Sequence, residues 1–420
     1  MKILVIGLDG ASPERLLGDE RLQTLRYLMD AGGYGPLEGV VPPGPIPGWA
    51  CLATGRDPGE LGVYGELDRA DRSYAPPAPA DPRALAAGAP TAWDLLAQDG
   101  RPAVAIGLPA GPGGPAADEG EDAIRAASRR RFAEARKVLG GDWSSCVLAD
   151  DGLARVPADA ADGYLLHLDA EIGGLLEQLG EDAVVLVAST YGTRPREGTF
   201  AVNDWLAREG LLELNRQPQG PAPLASLDVN WSRTSAWAVG GPYARIYLNV
   251  RGREPHGILE PKDCLRCRDE LEALLSSAAD ESGRPLAAAV LRPEEAYKGL
   301  RGIAPDLIVR PTSRGWLATD GIGLGPATAE EADPRPLPLP TARGAFILAG
   351  AGVPALGPVE DAKLLDLAPT LLHLAGRPAP EGLPGRSLVD AAAPTDRPGP
   401  TVEDEEALVR ERLRGLGYVS

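Results

Sequence analysis

Residues 3–8 read ILVIGL, six apolar positions in a row closed by Asp9 and Gly10. An apolar run without alternation is what a central parallel strand covered on both faces requires, because a half-exposed strand would alternate with polar residues. Comparable runs return as PAVAIGLP at 102–109, AVVLVAS at 183–189 and GAFILAG at 344–350. Between them lie stretches with helical spacing: LQTLRYLMDAG at 22–32, TAWDLLAQDG at 91–100, DGYLLHLDAEIGGLLEQLG at 162–180 and LLDLAPTLLHLAG at 364–376. This alternation predicts an α/β fold built on a doubly wound, mostly parallel sheet. Ligands of such sheets sit beyond the carboxyl ends of the strands. Asp9 and the segment Ser189-Thr190-Tyr191-Gly192 therefore fall where chemistry is expected.

A chain of 420 residues with 44% hydrophobic content has ample core for one large domain or two average ones. Its formal net charge of -18 argues against nucleic acid or an anionic membrane as the main partner, since both select basic surfaces. No run of eighteen apolar residues suggests a transmembrane helix. The opening MKILVIGLDG reads as a buried strand and its turn, not as a signal peptide, so a cytoplasmic setting is expected. Four cysteines make no disulfide framework; Cys264 and Cys267 form a CxxC, but no second pair or neighbouring His completes a zinc site. KDCLRCRDELEALL reads as a helix carrying two incidental thiols.

The domain organisation expected from these patterns is a core over 1–192 and 301–390 with an inserted lateral α+β subdomain over 193–300. A linker and helix then occupy 391–420, where Thr401 caps a stretch with early acids and late arginines. Residues 112–145, polar and Arg-rich in places, are expected as a surface excursion. APDLIVRP, at 304–311, is expected to rejoin the core.

Several stretches, taken in order, resemble the type I phosphodiesterase/nucleotide pyrophosphatase family of the alkaline phosphatase superfamily. VIGLDGASP is similar to the family's opening strand and first metal-binding Asp, which falls on Asp9. LRYLMDAGGYGPLEGVVPPGPIPGWACLATGRDPGELGVYG resembles its nucleophile region, with a Thr-x-Pro-x-Trp stretch and a closing Thr-Gly-x-x-Pro-Gly-x-His-Gly. FAVNDWLAREGLL, RIYLNVRGREPHGIL, APDLIV, LLDLAPTLLHLAG and RLRGLGY follow in the family's order, so the resemblance runs the length of the chain. It implies a hydrolase with two divalent metals, zinc or manganese, held by three Asp and three His. A Thr or Ser nucleophile would form a covalent phospho-enzyme.

Carried over residue by residue, that machinery is mostly absent. The nucleophile position falls on Pro45, which has no hydroxyl. Thr190 and Tyr191 stand where the family has Asp-His. Asp150 or Asp151 matches the Asp of an Asp-x-x-x-His pair, while its His position holds Ala154 or Arg155. The last His falls on Pro340, or on Thr341 one residue on, and Leu61-Gly62 replaces the His-Gly that closes the nucleophile region.

Composition gives an independent check. The chain has three histidines, and His167, His256 and His373 lie in helix or turn segments, none directly after a core strand. Ser189, Thr54 and Cys51 are candidate substitute nucleophiles without an evident base. Trp49, Trp231 and Trp237 either line a groove or pack, and Arg233 and Arg245 either meet an anion or are solvated. Asp9 either binds a hard cation weakly or ties down its own turn through the Gly10 amide.

The leading expectation is a pseudoenzyme: a binding, scaffolding or regulatory protein with no metal cofactor, whose partner is a small anion, a protein or a second copy. The alternative is an active phosphoester hydrolase with an atypical site built on Asp9 and Asp150 or Asp151, carrying two divalent metals.

Overall fold

A computed structural model describes residues 1–80, 89–97, 102–109, 120–312, 315–333 and 336–390. The expected C-terminal linker and helix at 391–420 lie outside the described residues. The described chain divides into two compact units, one from residues 1–58, 81–195 and 340–390, the other from 59–80 and 196–339.

The first unit is built on an eight-stranded sheet. Its principal strands are β1 (Lys2–Leu8), β2 (Gly33–Glu38), β3 (Ala103–Ile106), β4 (Ser145–Asp150), β5 (Ala183–Ser189) and β6 (Arg343–Gly350). Their spatial order is β2-β6-β5-β1-β4-β3, with the two-residue strands Gly357–Pro358 and Ala362–Lys363 on β2. β1 is central, parallel to β4 on one side and β5 on the other. β3 continues the parallel set, whereas β6 runs antiparallel to both β5 and β2. Every residue of β4 and β5 is buried, as their unbroken apolar character requires.

Helices α1 (Gln23–Ala31), α2 (Pro45–Thr54), α3 (Glu121–Leu139), α4 (Ala161–Leu176) and α5 (Leu367–Leu374) belong to this unit. The start of α1 has no side-chain cap of its own; instead Asp169 of α4 accepts from the N–H groups of Thr24 (3.2 Å) and Leu25 (2.9 Å). Two of the orphan donors that every helix start presents are thus satisfied from a neighbouring element.

One expectation fails inside this unit. The polar surface excursion proposed for 112–145 contains the 19-residue helix α3, which buries Ile124, Ser128, Phe132, Ala135 and Leu139. Those positions recur at helical spacing, so the arginine-rich outer face hid a regular inner stripe. Full burial of Phe132 and Leu139 contributes about 1.5–3 kcal/mol each.

The second unit has a four-stranded antiparallel sheet in the order 236–239, 244–248, 307–311, 287–291. Strand Leu307–Pro311 therefore pairs laterally; the return to the core expected for APDLIVRP begins only at β6. Helix Cys264–Ser277 belongs to this unit and carries the CxxC, with Cys264 buried and Cys267 half-buried as free thiols. Among the described residues no helix is long and apolar enough to cross a membrane.

Candidate functional site

The carboxyl ends of β1, β4 and β5 lie side by side because the strands are in parallel register, with Leu8 opposite Asp150 and Gly7 opposite Ala188. Asp9 leaves β1 with its N–H donated to the Asp150 carbonyl at 2.9 Å. The Gly10 N–H goes to the Tyr191 carbonyl at 3.2 Å, joining the turn after β1 to the turn after β5. The turn is thus fixed by its neighbours' backbone, and the Gly10 amide is not spent on the Asp9 carboxylate.

That carboxylate meets a tryptophan. The Trp49 indole Nε1–H donates to Asp9 Oδ1 at 2.9 Å, and both residues are buried, at 4% and 1% exposure. The indole lies so close to β1 that a methyl on Gly7 would sit 2.1 Å from its ring. Only glycine at position 7 leaves room for it. Trp49, left open between groove and packing, is a packed residue with a polar task.

Helix α2 brings Trp49 to this place, and its first turn carries Pro45. Proline suits the first helical position, where its fixed backbone is preorganised and its missing N–H would be unsatisfied anyway. Pro47 follows two residues later, so two of the first three residues of α2 have no N–H to offer an anion. Gly48 then presses on Thr190, whose Oγ1 would lie 2.5 Å from a methyl at position 48. Thr190 is 1% exposed, and its hydroxyl has no hydrogen-bond partner.

The remaining positions of the carried-over set approach the same turns. A methyl at Gly10 would sit 3.0 Å from the Ala154 Cβ, and one at Gly192 would sit 3.2 Å from Thr341 Oγ1. Ala154, Thr190 and Thr341 thus border the Asp9 and Gly192 turns. Tyr191 follows Thr190 and is buried; Pro340 and Thr341 belong to the short strand Leu339–Thr341 that precedes β6.

Asp150 and Asp151 turn to other work. Asp150 Oδ1 accepts from Tyr164 Oη at 2.8 Å and from the Gly152 N–H at 3.0 Å, while Arg131 Nη1 lies 3.6 Å from Oδ2. Asp151 is bridged by Arg131 at 2.5 Å and Arg155 at 3.2 Å. Two carboxylates and two guanidiniums balance in charge. Burial, and then the Asp150 charge, push the Tyr164 phenol well above its ordinary range, keeping it a neutral donor.

The other candidates are placed away from chemistry. Ser189 Oγ donates to the Tyr191 carbonyl at 2.6 Å and Thr54 Oγ1 to the Ala50 carbonyl at 2.8 Å, so both hydroxyls serve backbone; Cys51 is fully buried. His167 lies on α4, its imidazole biased towards neutrality by burial. His373 is half exposed and pairs with Asp390 at 3.1 Å. In the second unit His256 stacks on Tyr74, Arg245 is buried against Asp68 and the Leu67 carbonyl, and Arg233 forms an exposed pair with Glu213. Neither arginine is free for an anion.

A sequence profile of type I phosphodiesterase/nucleotide pyrophosphatase matches residues 3–147 and 149–334. The chain belongs to that family. Among solved structures, murine ectonucleotide pyrophosphatase/phosphodiesterase 5 is similar at 15% identity, with 92% of this chain and 97% of that one aligned and a TM-score of 0.56. The human counterpart gives the same figures. Phosphonoacetate hydrolase from Sinorhizobium meliloti, solved with phosphonoacetate, is similar at 16% identity over 89% and 96% of the two chains, with a TM-score of 0.59. At such identities the likeness is one of fold. No curated protein matches the sequence.

Phosphodiesterases of this family depend on divalent metals, and the residues here do not fit a two-metal centre. Among the described residues no group of three or more His, Cys, Asp and Glu is arranged to hold a metal ion. Of the implied three carboxylates and three imidazoles, the strand ends present Asp9 bonded to an indole, Asp150 bonded to Tyr164, a methyl at Ala154, and Thr190, Tyr191 and Thr341. Neutral side chains at these places avoid the repulsion that several carboxylates without a cation would create.

Sequence reasoning named most of these positions through the family pattern, but missed how they are neutralised. Trp49 was named as a groove or packing residue, but its bond to Asp9 depends on where α2 meets β1. Arg131 and Tyr164 gave no signal, because partners 20 and 14 residues from their carboxylates become visible only once α3 and α4 are placed.

Proposed function

We propose that this chain has given up metal-dependent phosphoester hydrolysis and works as a binding or scaffold protein on a hydrolase frame. The observation that carries this is the Trp49–Asp9 hydrogen bond at a site where Pro45 occupies the nucleophile position. An attacking alkoxide needs a hydroxyl, an activating charge and an anion cradle. Pro45 removes the first, the indole takes the acid that would anchor the second, and Pro45 with Pro47 thins the third. Losing one member of a catalytic unit removes most of its effect, so the combined losses abolish the ordinary mechanism.

The partner class follows from charge. With a net charge of -18, nucleic acid and anionic membranes are unfavourable partners, leaving a small ligand, a protein or a second copy. A cytoplasmic setting fits the four cysteines, all free thiols.

The test is metal content and turnover on one purified sample. The chain is dialysed against zinc, manganese and magnesium in turn, analysed for bound metal, and assayed on bis(p-nitrophenyl) phosphate and p-nitrophenyl phosphate. The expected result is no stoichiometric metal and no turnover above the Asp9→Ala variant. Two tightly held metals per chain, with turnover abolished by Asp9→Ala, would establish the alternative, an active hydrolase with an atypical site.

A further inference from the structure

A cleft of about 410 Å³ in the second unit lies among the end of the helix Val202–Arg208, the loop 279–284 and the strand Thr328–Glu330. Small-molecule sites run from about 300 to 1,000 Å³. The walls are fixed. Asn203 donates to the Ala238 and Asp320 carbonyls at 2.9 and 2.8 Å, and Asp204 accepts from the Gly323 and Leu324 N–H groups at 3.0 and 3.2 Å. The strand pairs antiparallel with the strand Gly198–Ala201. In the loop, Asp280 Oδ1 accepts from the Ser282 N–H, the Ser282 hydroxyl and the Arg284 N–H at 2.9, 2.6 and 3.0 Å.

Five charged side chains line the cleft: Arg208, Glu209, Asp280, Glu281 and Arg284. Two of them are spent on each other. Arg284 Nε donates to Asp280 Oδ2 at 2.6 Å, and the same guanidinium lies over the Trp316 ring at 5.6 Å and 3.8 Å from Glu330. Arg208, Glu209 and Glu281 are exposed, and among the described residues none of them has a side-chain hydrogen bond or an ion pair. The unpaired set is therefore one cation and two anions, with Glu330 adding to the negative side. Arg208 and Glu209 are successive at the helix end, so their side chains leave it about 100° apart. Glu281 comes from the loop. Trp205 and Ala327, both buried, give the cleft an apolar part.

We propose that this cleft binds a basic amino acid of the lysine type. Its carboxylate lies on Arg208, its α-ammonium on Glu209 and its terminal ammonium on Glu281, with the methylene chain along Trp205 and Ala327. A guanidinium fork matches a carboxylate in shape and charge, and each ammonium finds a carboxylate that no protein group has claimed. The ligand's net charge of one positive is the complement of the unpaired set. Phosphates and dicarboxylates meet two free acids and are disfavoured, whereas a diamine leaves Arg208 facing only cations. The cleft lies wholly within the second unit and stands whether or not the end of β1 turns over phosphoesters.

Lysine is the probe, titrated into the full chain and followed by calorimetry and tryptophan fluorescence. Norleucine, which lacks the terminal ammonium, and cadaverine, which lacks the carboxylate, are the comparators. The expected result is saturable lysine binding with a Kd of about 1 mM or below, and each comparator at least about tenfold weaker. Arg208→Gln should lose about tenfold or more in lysine affinity while cadaverine binds no more weakly than before. Glu281→Gln should lose about as much for lysine and leave norleucine unchanged. Both side chains are exposed and unpaired, so neither substitution removes a contact that the fold uses. Equal affinity for lysine and norleucine, undiminished lysine binding by Arg208→Gln or Glu281→Gln, or no saturation at all overturns the proposal.

Discussion

The indole N–H of Trp49 donates to the Asp9 carboxylate at 2.9 Å, at the end of the central strand of the sheet. This single bond joins α2 to β1 and spends a carboxylate that in a metal-dependent relative would face a cation. Hydrogen bonds to charged groups contribute about 1.5–3 kcal/mol when buried.

Trp49→Phe keeps the ring and removes the donor. Urea denaturation should show a loss of about 1–3 kcal/mol, because the buried Asp9 carboxyl loses a donor. In an Asp9→Asn background the same substitution should cost less, so the double-mutant cycle returns a positive coupling. Additive losses would mean the bond contributes nothing.

Gly48→Ala forces a methyl to 2.5 Å from Thr190 Oγ1 and 2.8 Å from its Cβ. Alanine improves helix propensity, yet overpacking of about 1–3 kcal/mol should dominate. Combination with Thr190→Gly should recover much of the loss. Thr190→Val alone should be within about 0.5 kcal/mol of wild type or stabilising, because the hydroxyl it removes has no partner.

Burial pushes the Cys146 thiol up to about 12 from an ordinary value of 9.0. Above about pH 9 the unfolded chain releases this proton while the folded chain keeps it. The unfolded state then binds fewer protons, and stability must fall as pH rises through that window. The slope from this group is at most about 1.4 kcal/mol per pH unit. Cys146→Ala should flatten the alkaline limb of a pH–stability curve. Native Cys146 should also resist thiol reagents that label half-buried Cys267.

Asp169→Ala should cost about 1–2 kcal/mol in thermal or urea melts, since it strips the remote cap from the start of α1. Asp169→Asn, which keeps an acceptor oxygen, should cost less. Hydrogen exchange should localise the effect to the Thr24 and Leu25 amides.

Much of the frame was legible because strands buried on both faces leave unbroken apolar runs. ILVIGL and AVVLVAS became β1 and β5, flanked as expected by amphipathic helices. The region around α3 was misread because six arginines and lysines between Arg125 and Lys137 outweighed a stripe of only five buried positions. APDLIVRP was assigned to the wrong sheet because a short apolar strand looks the same whichever sheet receives it. At the candidate site, the missing hydroxyl and imidazoles could be read directly, being properties of residue type. The Trp49–Asp9 bond and the Arg131–Asp151 bridge could not, since they depend on how α2 and α3 meet strands distant in sequence.

The closeness of Gly48 to Thr190 bears on how this chain could ever change its occupation. On the proposed reading, a hydroxyl introduced at Pro45 alone supplies a nucleophile with no cation to activate it. Restoring a carboxylate at Thr190 alone wedges a larger, charged group against Gly48 in the dry neighbourhood of Asp9, an uphill step before any benefit arrives. Each reversion is harmful or useless until several others are in place. On the reading proposed above, this packing acts as a ratchet, leaving new binding surfaces easier to reach than metal-dependent phosphoester chemistry.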